Sequence, residues 1–115
     1  MRTLFRIVRS DPPTLADFVS NVELGRPLPR DPEAARLWSG ISVNETENQA
    51  RRRARGVPVL GNYLAELHLD EESFVRIERT TRSRGHHTVW ADPVLLLRSV
   101  VRVLPIDAKS FKEPT

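Results

Sequence analysis

The apolar residues of this chain occur in short runs, and this pattern most constrains what the chain can fold into. The longest runs are Val94–Leu97 and Val100–Leu104, and Arg102 interrupts the second. No run approaches the ~20 apolar residues of a membrane-spanning helix. Short runs separated by turn residues predict a small domain of short strands and helices. We expect one globular domain over residues 1–106, a disordered tail over 107–115 and a cytoplasmic location.

Six segments have the composition of strands. The clearest is Leu60–Leu69, where apolar residues recur at every second position, the period of a strand with one buried face. Thr3–Val8 carries apolar side chains on both faces, which predicts an interior strand. The remaining predicted strands are 40–43, 74–80, 86–90 and 100–106.

Capping residues mark the helix starts. Thr46 and Gln49 match the capping box and predict a helix over Glu47–Arg55. Its apolar face consists of Ala50 and Ala54, so the helix should lie flat on a sheet. Further helix starts are predicted after Thr14, where residues 15–22 carry a helical apolar stripe, and at Asp31-Pro32 and Asp92-Pro93.

The order of these elements predicts the fold class. Helices crowd the first half of the chain and strands the second, which is typical of an α+β fold. We expect a mixed, mostly antiparallel sheet with about three short helices, concentrated in the N-terminal half. Neither glycine-rich phosphate-loop pattern is present in the sequence.

Arginine dominates the positive charge of the chain. It supplies 16 of the 18 basic residues, and two windows, 50–61 and 76–87, carry net charges of +4 and +3 while the rest of the chain is negative. A separated positive patch is a candidate site for phosphate or nucleic acid. Arg51 and Arg55 share one row of the helix over 47–55, and they either contact phosphate or form a solvated helix face.

Three residues of the first half could contribute to a ligand site. Arg6 lies in an apolar strand and must be paired, face a cleft, or reach solvent at a sheet edge. Ser42, at the end of a short strand, either lines a cleft or has its hydroxyl satisfied within the strand. Trp38 either stacks on a planar ligand or belongs to the core.

The second half adds an acid and two histidines. Glu78 either forms an ion pair with Arg76 or Arg79, or binds a ribose hydroxyl. His86 and His87 are adjacent and face opposite sides of a strand, so they cannot readily share a metal ion, and we expect no metal site. We predict that His87 lines a cleft beside Arg82 and Arg84, as an acid–base group or a donor to phosphate. The absence of cysteine excludes thiol catalysis.

Two stretches resemble the ADP-ribosyltransferase-like fold, and the late acid of that fold would fall on Glu78. Leu4–Val8 resembles its first strand, which presents an Arg or His between apolar residues. The stretch Leu37–Val43, followed by the helix after Thr46, resembles its second motif. The resemblance implies that Arg6 anchors the nicotinamide-nucleotide side of NAD, that Ser42 lines the pocket and that Glu78 assists glycosidic cleavage. The segment 76–87 also fits RNA phosphate-transfer relatives, which rely on Arg and His.

Two functions of different classes follow from these features. The first is a transferase-like protein with an Arg/His-lined cleft for NAD or an RNA phosphate. The second is a non-enzymatic module that binds nucleic acid or a protein partner through the Arg51–Arg55 helix. On the first hypothesis, an Arg6→Ala variant should lose nucleotide binding with little loss of fold.

Overall fold

A computed structural model describes residues 1–71, 76–79 and 85–106 of the protein. Within this part, the chain forms six strands and three short α-helices. The strands are β1 (Arg2–Val8), β2 (Ile41–Asn44), β3 (Tyr63–Leu69), β4 (Arg76–Arg79), β5 (His86–Trp90) and β6 (Val100–Pro105). The helices are α1 (Pro32–Leu37), α2 (Glu47–Gly56) and α3 (Pro93–Arg98). None of these helices is long and apolar enough to cross a membrane.

The six strands form one sheet in the order β4-β5-β2-β1-β3-β6. Every pairing among the described strands is antiparallel, so the α+β class is confirmed and the sheet is not mixed. The interior position predicted for β1 is also confirmed, because β1 lies between β2 and β3.

Each face of the sheet carries its own apolar cluster. On the first face, Leu4 of β1 and Leu67 of β3 lie opposite each other and pack with Phe18 and Leu96. The second cluster consists of Phe5, Leu64 and Ile106 under the two buried alanines of α2. The alternation is confirmed over Tyr63–Leu69, since Leu64 and Leu67 enter different clusters, but the strand begins after residue 60 and both of its faces, rather than one, are buried. Helix α2 lies on the sheet through its alanines, as its sequence predicts.

The predicted concentration of helices in the N-terminal half is wrong. The α-helices lie in the middle and later parts of the chain, and a single 3-10 turn, Leu15–Phe18, replaces the helix expected after Thr14. The turn ends at Val19, whose backbone is extended (φ −93°, ψ 136°). The Asp17 carboxylate accepts the backbone N–H groups of Thr14 and Arg9, each at 2.9 Å, and ties the turn to the end of β1.

The other predicted helix starts are confirmed. Asp31 and Asp92 accept backbone N–H groups of the first turns of α1 and α3. Thr46 and Gln49 form the reciprocal capping box of α2, with both bonds at 3.2 Å. The expected tail over 107–115 lies outside the described residues, as do positions 74, 75 and 80 of the expected fourth strand.

Candidate functional site

Strands β1 and β2 diverge at one end of their pairing. Seven residue pairs join β1 to β3, whereas the described pairing of β1 with β2 is Phe5 opposite Asn44. Continuing that register would place Ile7 opposite Ser42. The Ser42 carbonyl instead accepts a bond from a side chain, so the sheet opens between the two strands at this point.

The guanidinium of Arg6 bridges this opening. Its Nε donates to the main-chain carbonyl of Asp17 at 3.0 Å, and its Nη1 donates to that of Ser42 at 2.9 Å. Burial lowers the pKa of Arg6 to about 10, an effect that Asp17 opposes and the charge of Arg9 increases. The side chain therefore remains a cation at neutral pH while satisfying two backbone acceptors.

A cavity of about 520 Å³ opens beside Arg6. This volume lies within the ~300–1,000 Å³ range of small-molecule sites. The first turn and loop of the chain (16–26), the segment around Trp38 and the diverging ends of β1 and β2 form its sides. Ser42 and Trp38, both predicted to contact a ligand, line this cavity together with Arg6.

The cavity has a strongly positive lining. Four arginines line it, namely Arg6, Arg9, Arg26 and Arg53, and the single acid among the lining residues is Asp17. Both Asp17 carboxylate oxygens already accept backbone N–H groups, as described above. Arginine presents planar, forked donors that match phosphate and carboxylate oxygens. This lining is therefore chemically suited to a multiply charged anion.

Uncharged polar side chains from β2 and β5 line another part of the cavity. Asn44 and His86 lie directly opposite each other across these strands, as do Ser42 and Thr88. His86 is 6% exposed, and both ring nitrogens lack a hydrogen-bond partner within the described residues. Burial lowers the pKa of His86 to about 4, and the charge of Arg53 contributes to this effect. The imidazole is therefore neutral at physiological pH.

The low pKa of His86 makes stability depend on pH. Between about pH 6.5 and pH 4, the unfolded chain binds a proton that the folded protein does not, so acid favours unfolding. We expect the free energy of unfolding to decrease as the pH falls through this window. Urea titrations at a series of pH values, on the wild type and on His86→Leu, check this. The variant should show the smaller decrease, and identical profiles would contradict the assignment.

Glu78 lies on the same face of the sheet as Ser42 but outside the cavity. It pairs with Thr88, which in turn pairs with Ser42, so two strand spacings of ~4.8 Å separate Glu78 from Ser42. Its carboxylate contacts Arg36 at 2.9 Å and Arg76 at 2.6 Å. Hydrogen bonds from these arginines lower the pKa of Glu78 to about 2. The ion pair with Arg76 is one of the two roles that the sequence allowed.

His87 faces the opposite side of the sheet from His86. It lies across from Val43, its Nδ1 is 3.2 Å from the Gly85 carbonyl, and its Nε2 is 3.4 Å from the Arg2 guanidinium. The cavity does not include His87. Arg82 and Arg84, predicted to accompany it, lie outside the described residues.

The two arginines singled out on α2 have different surroundings. Arg51 donates to Glu47 at 2.9 Å and to the main-chain carbonyls of Pro105 and Ile106, so it joins α2 to the end of β6. Arg55 is exposed and shares a shallow surface pocket with Arg52. The structure thus gives Arg51 a structural role and leaves Arg55 on the solvent-facing side of the helix.

The chain matches no protein-family model, no curated protein and no solved structure. Within the described residues, no group of three or more His, Cys, Asp or Glu side chains could hold a metal ion.

Sequence reasoning missed several cavity residues, among them Arg9, Arg26, Asn44, Arg53 and His86. The alternation of strand residues correctly showed that the two histidines face opposite sides. It could not show which side holds a cavity, because that depends on which element covers each face. The arginines come from three separate segments, and no spacing in the sequence links them.

Proposed function

We propose that the protein binds a phosphate-bearing ligand in the cavity between β1 and β2. The observation that carries this proposal is the arginine-rich lining, in which four guanidinium groups face one acid whose oxygens are already bonded. Such a cluster repels itself unless an anion neutralises it. A ligand with one or more phosphates supplies that charge and accepts the forked hydrogen bonds that arginine offers.

In the part of the chain that the structure describes, three of the cavity arginines are free to bind an anion, which supports the proposal. Arg9, Arg26 and Arg53 are exposed, and none forms an ion pair with an acidic side chain of the described residues. By contrast, Arg36 and Arg102 are bonded to glutamates at 2.7 Å and 2.6 Å. Within the described residues, these three cavity arginines thus lack the acidic partners that neutralise Arg36 and Arg102.

Transferase chemistry on NAD stays a prediction. Arg6 and Ser42 line the cavity that would hold NAD, which agrees with their expected roles as anchor and pocket wall. Glu78 would have to leave Arg36 and Arg76 to assist glycosidic cleavage, and His87 would have to act from the other face. The proposal therefore concerns ligand binding, and NAD is one of the ligands to be tested.

Binding of nucleic acid or a protein through α2 is the second candidate. Arg52 and Arg55 are exposed on this helix, and Arg53 extends the positive surface to the cavity. The engagement of Arg51 with Glu47 and the end of β6 leaves fewer free cations than the sequence predicts.

Isothermal titration with inorganic phosphate, ADP-ribose, NAD and a short RNA tests both candidates. We expect saturable binding that Arg9→Ala/Arg26→Ala weakens by about a hundredfold, since each lost charge-assisted bond costs ~1.5–3 kcal/mol. Arg52→Ala/Arg55→Ala removes the same charge from α2 and is the matched control.

The two double variants separate the sites. Loss of binding in the first variant and a less than about threefold change in the second supports the cavity. Equal losses in both variants, or loss confined to the second, would contradict the cavity and favour α2.

A further inference from the structure

His86 is a buried polar group with unused hydrogen-bonding capacity at the cavity wall. It is 6% exposed, and its two ring nitrogens have no partner within the described residues. A neutral imidazole has one donor and one acceptor nitrogen. Buried groups of this kind are normally bonded, because leaving one unsatisfied destabilises the fold. An unpartnered ring that borders a cavity is therefore a candidate contact for a polar group bound there.

Asn44 provides a second polar group beside His86. The two residues are directly opposite each other on β2 and β5, and both line the cavity. Asn44 is 6% exposed, and its side-chain amide offers both donors and an acceptor. Side chains of directly opposed strand residues are close enough to contact one bound group together. Neither residue carries a charge that would select for a phosphate.

We propose that His86 and Asn44 bind the nucleoside part of a nucleoside phosphate whose phosphate contacts the cavity arginines. This inference rests on the proposed function and names its ligand class. The uncharged donors and acceptors of these two residues match the edge of a base and its ribose hydroxyls. Trp38 lines the same cavity and provides an aromatic surface against which a base can pack.

The first experiment compares ligands on the wild-type protein. Inorganic phosphate, ribose 5-phosphate, AMP and UMP are titrated separately by calorimetry. We expect at least one nucleoside monophosphate to bind about tenfold more tightly than ribose 5-phosphate, since it adds hydrogen bonds and ring packing. Equal affinity for AMP, UMP and ribose 5-phosphate would overturn the inference and leave the proposed function intact. No binding of any of the four would overturn both.

The second experiment uses His86→Leu, which removes both ring nitrogens. We expect the preference for nucleoside monophosphates over ribose 5-phosphate to disappear, with inorganic phosphate affinity changed less than about threefold. His68→Gln is the control, because His68 pairs with Glu66 at 2.8 Å and lies outside the cavity. This control should retain the preference.

The melting temperature of the unliganded variant provides an independent readout. If the nitrogens of His86 are unsatisfied without ligand, His86→Leu should melt at the same temperature as the wild type or higher. A substantially lower melting temperature would mean that the imidazole is already satisfied in the free protein, and it would overturn the inference. An Asn44→Leu variant repeats the selectivity test on the second group of the subsite.

Discussion

An Arg6→Ala variant should unfold more readily than the wild type and should also lose its phosphate ligand. The substitution leaves the main-chain carbonyls of Asp17 and Ser42 without their donor. The bond to Asp17 is partly buried whereas the bond to Ser42 is exposed, so water can replace the donor only at Ser42, and we expect the free energy of unfolding to fall by about 1–3 kcal/mol. Ligand affinity should fall at least about tenfold because a cation is removed from the cavity. Urea unfolding and calorimetric titration measure the two effects.

An Arg6→Lys variant distinguishes the effect of the positive charge from the effect of the guanidinium geometry. An ammonium keeps the positive charge but lacks the rigid fork that reaches two carbonyls at once. This variant should therefore retain part of the affinity and lose stability to an intermediate extent. A well-folded Arg6→Ala protein with wild-type stability would show that the opening between β1 and β2 does not depend on this bridge. The expectation from sequence, little loss of fold, did not include these two bonds.

A Gly61→Ala variant should be strongly destabilised. Gly61 has φ +150° and ψ 173°, a conformation that residues with a side chain rarely adopt. A Cβ at this position would also collide with the main-chain carbonyl of Val8 at the end of β1. Strain contributes about 1–3 kcal/mol, and backbone displacement adds to it, so we expect a total loss of roughly 3 kcal/mol or more. Urea unfolding measures the difference.

Gly56→Ala is the matched control for this substitution. Gly56 is the last residue of α2, its φ is not in the left-handed region, and a Cβ there would contact nothing within 4 Å. Alanine should therefore stabilise the protein by up to about 1 kcal/mol, because it is a better helix former than glycine. If both variants lose stability equally, the cause is not the particular backbone geometry at Gly61.

Much of the fold could be predicted because its signals are local. The alternation in β3 depends on neighbouring residues of one strand and correctly separated its two faces, but both faces, rather than one, are covered by apolar clusters. The capping box of α2 depends on residues three apart, Thr46 and Gln49. The helix expected after Thr14 was wrong because the backbone becomes extended at Val19 after one 3-10 turn, which Asp17 ties to Arg9 at the preceding strand end.

Fewer residues of the candidate site could be predicted, because the site lies where segments far apart in the sequence come together. Arg6, Ser42 and Trp38 were identified by their types and positions in the sequence, and all three line the cavity. Arg26 lies in a loop with no periodic signal. For Glu78, the sequence predicted its position in a strand but not its partner Arg36. That arginine lies in a helix 42 residues away.

The sequence by itself determined where most strands and helices begin, which residues of each strand share a face, and that arginine supplies the positive charge. Tertiary structure decided that β1 and β2 separate beyond Phe5 and Asn44, and that His86 rather than His87 lines the resulting cavity. The physical reason is the range of the interactions. Alternation and capping act between neighbours in the chain. Strand register, the covering of each face and the gathering of charges depend on contacts between segments far apart in it.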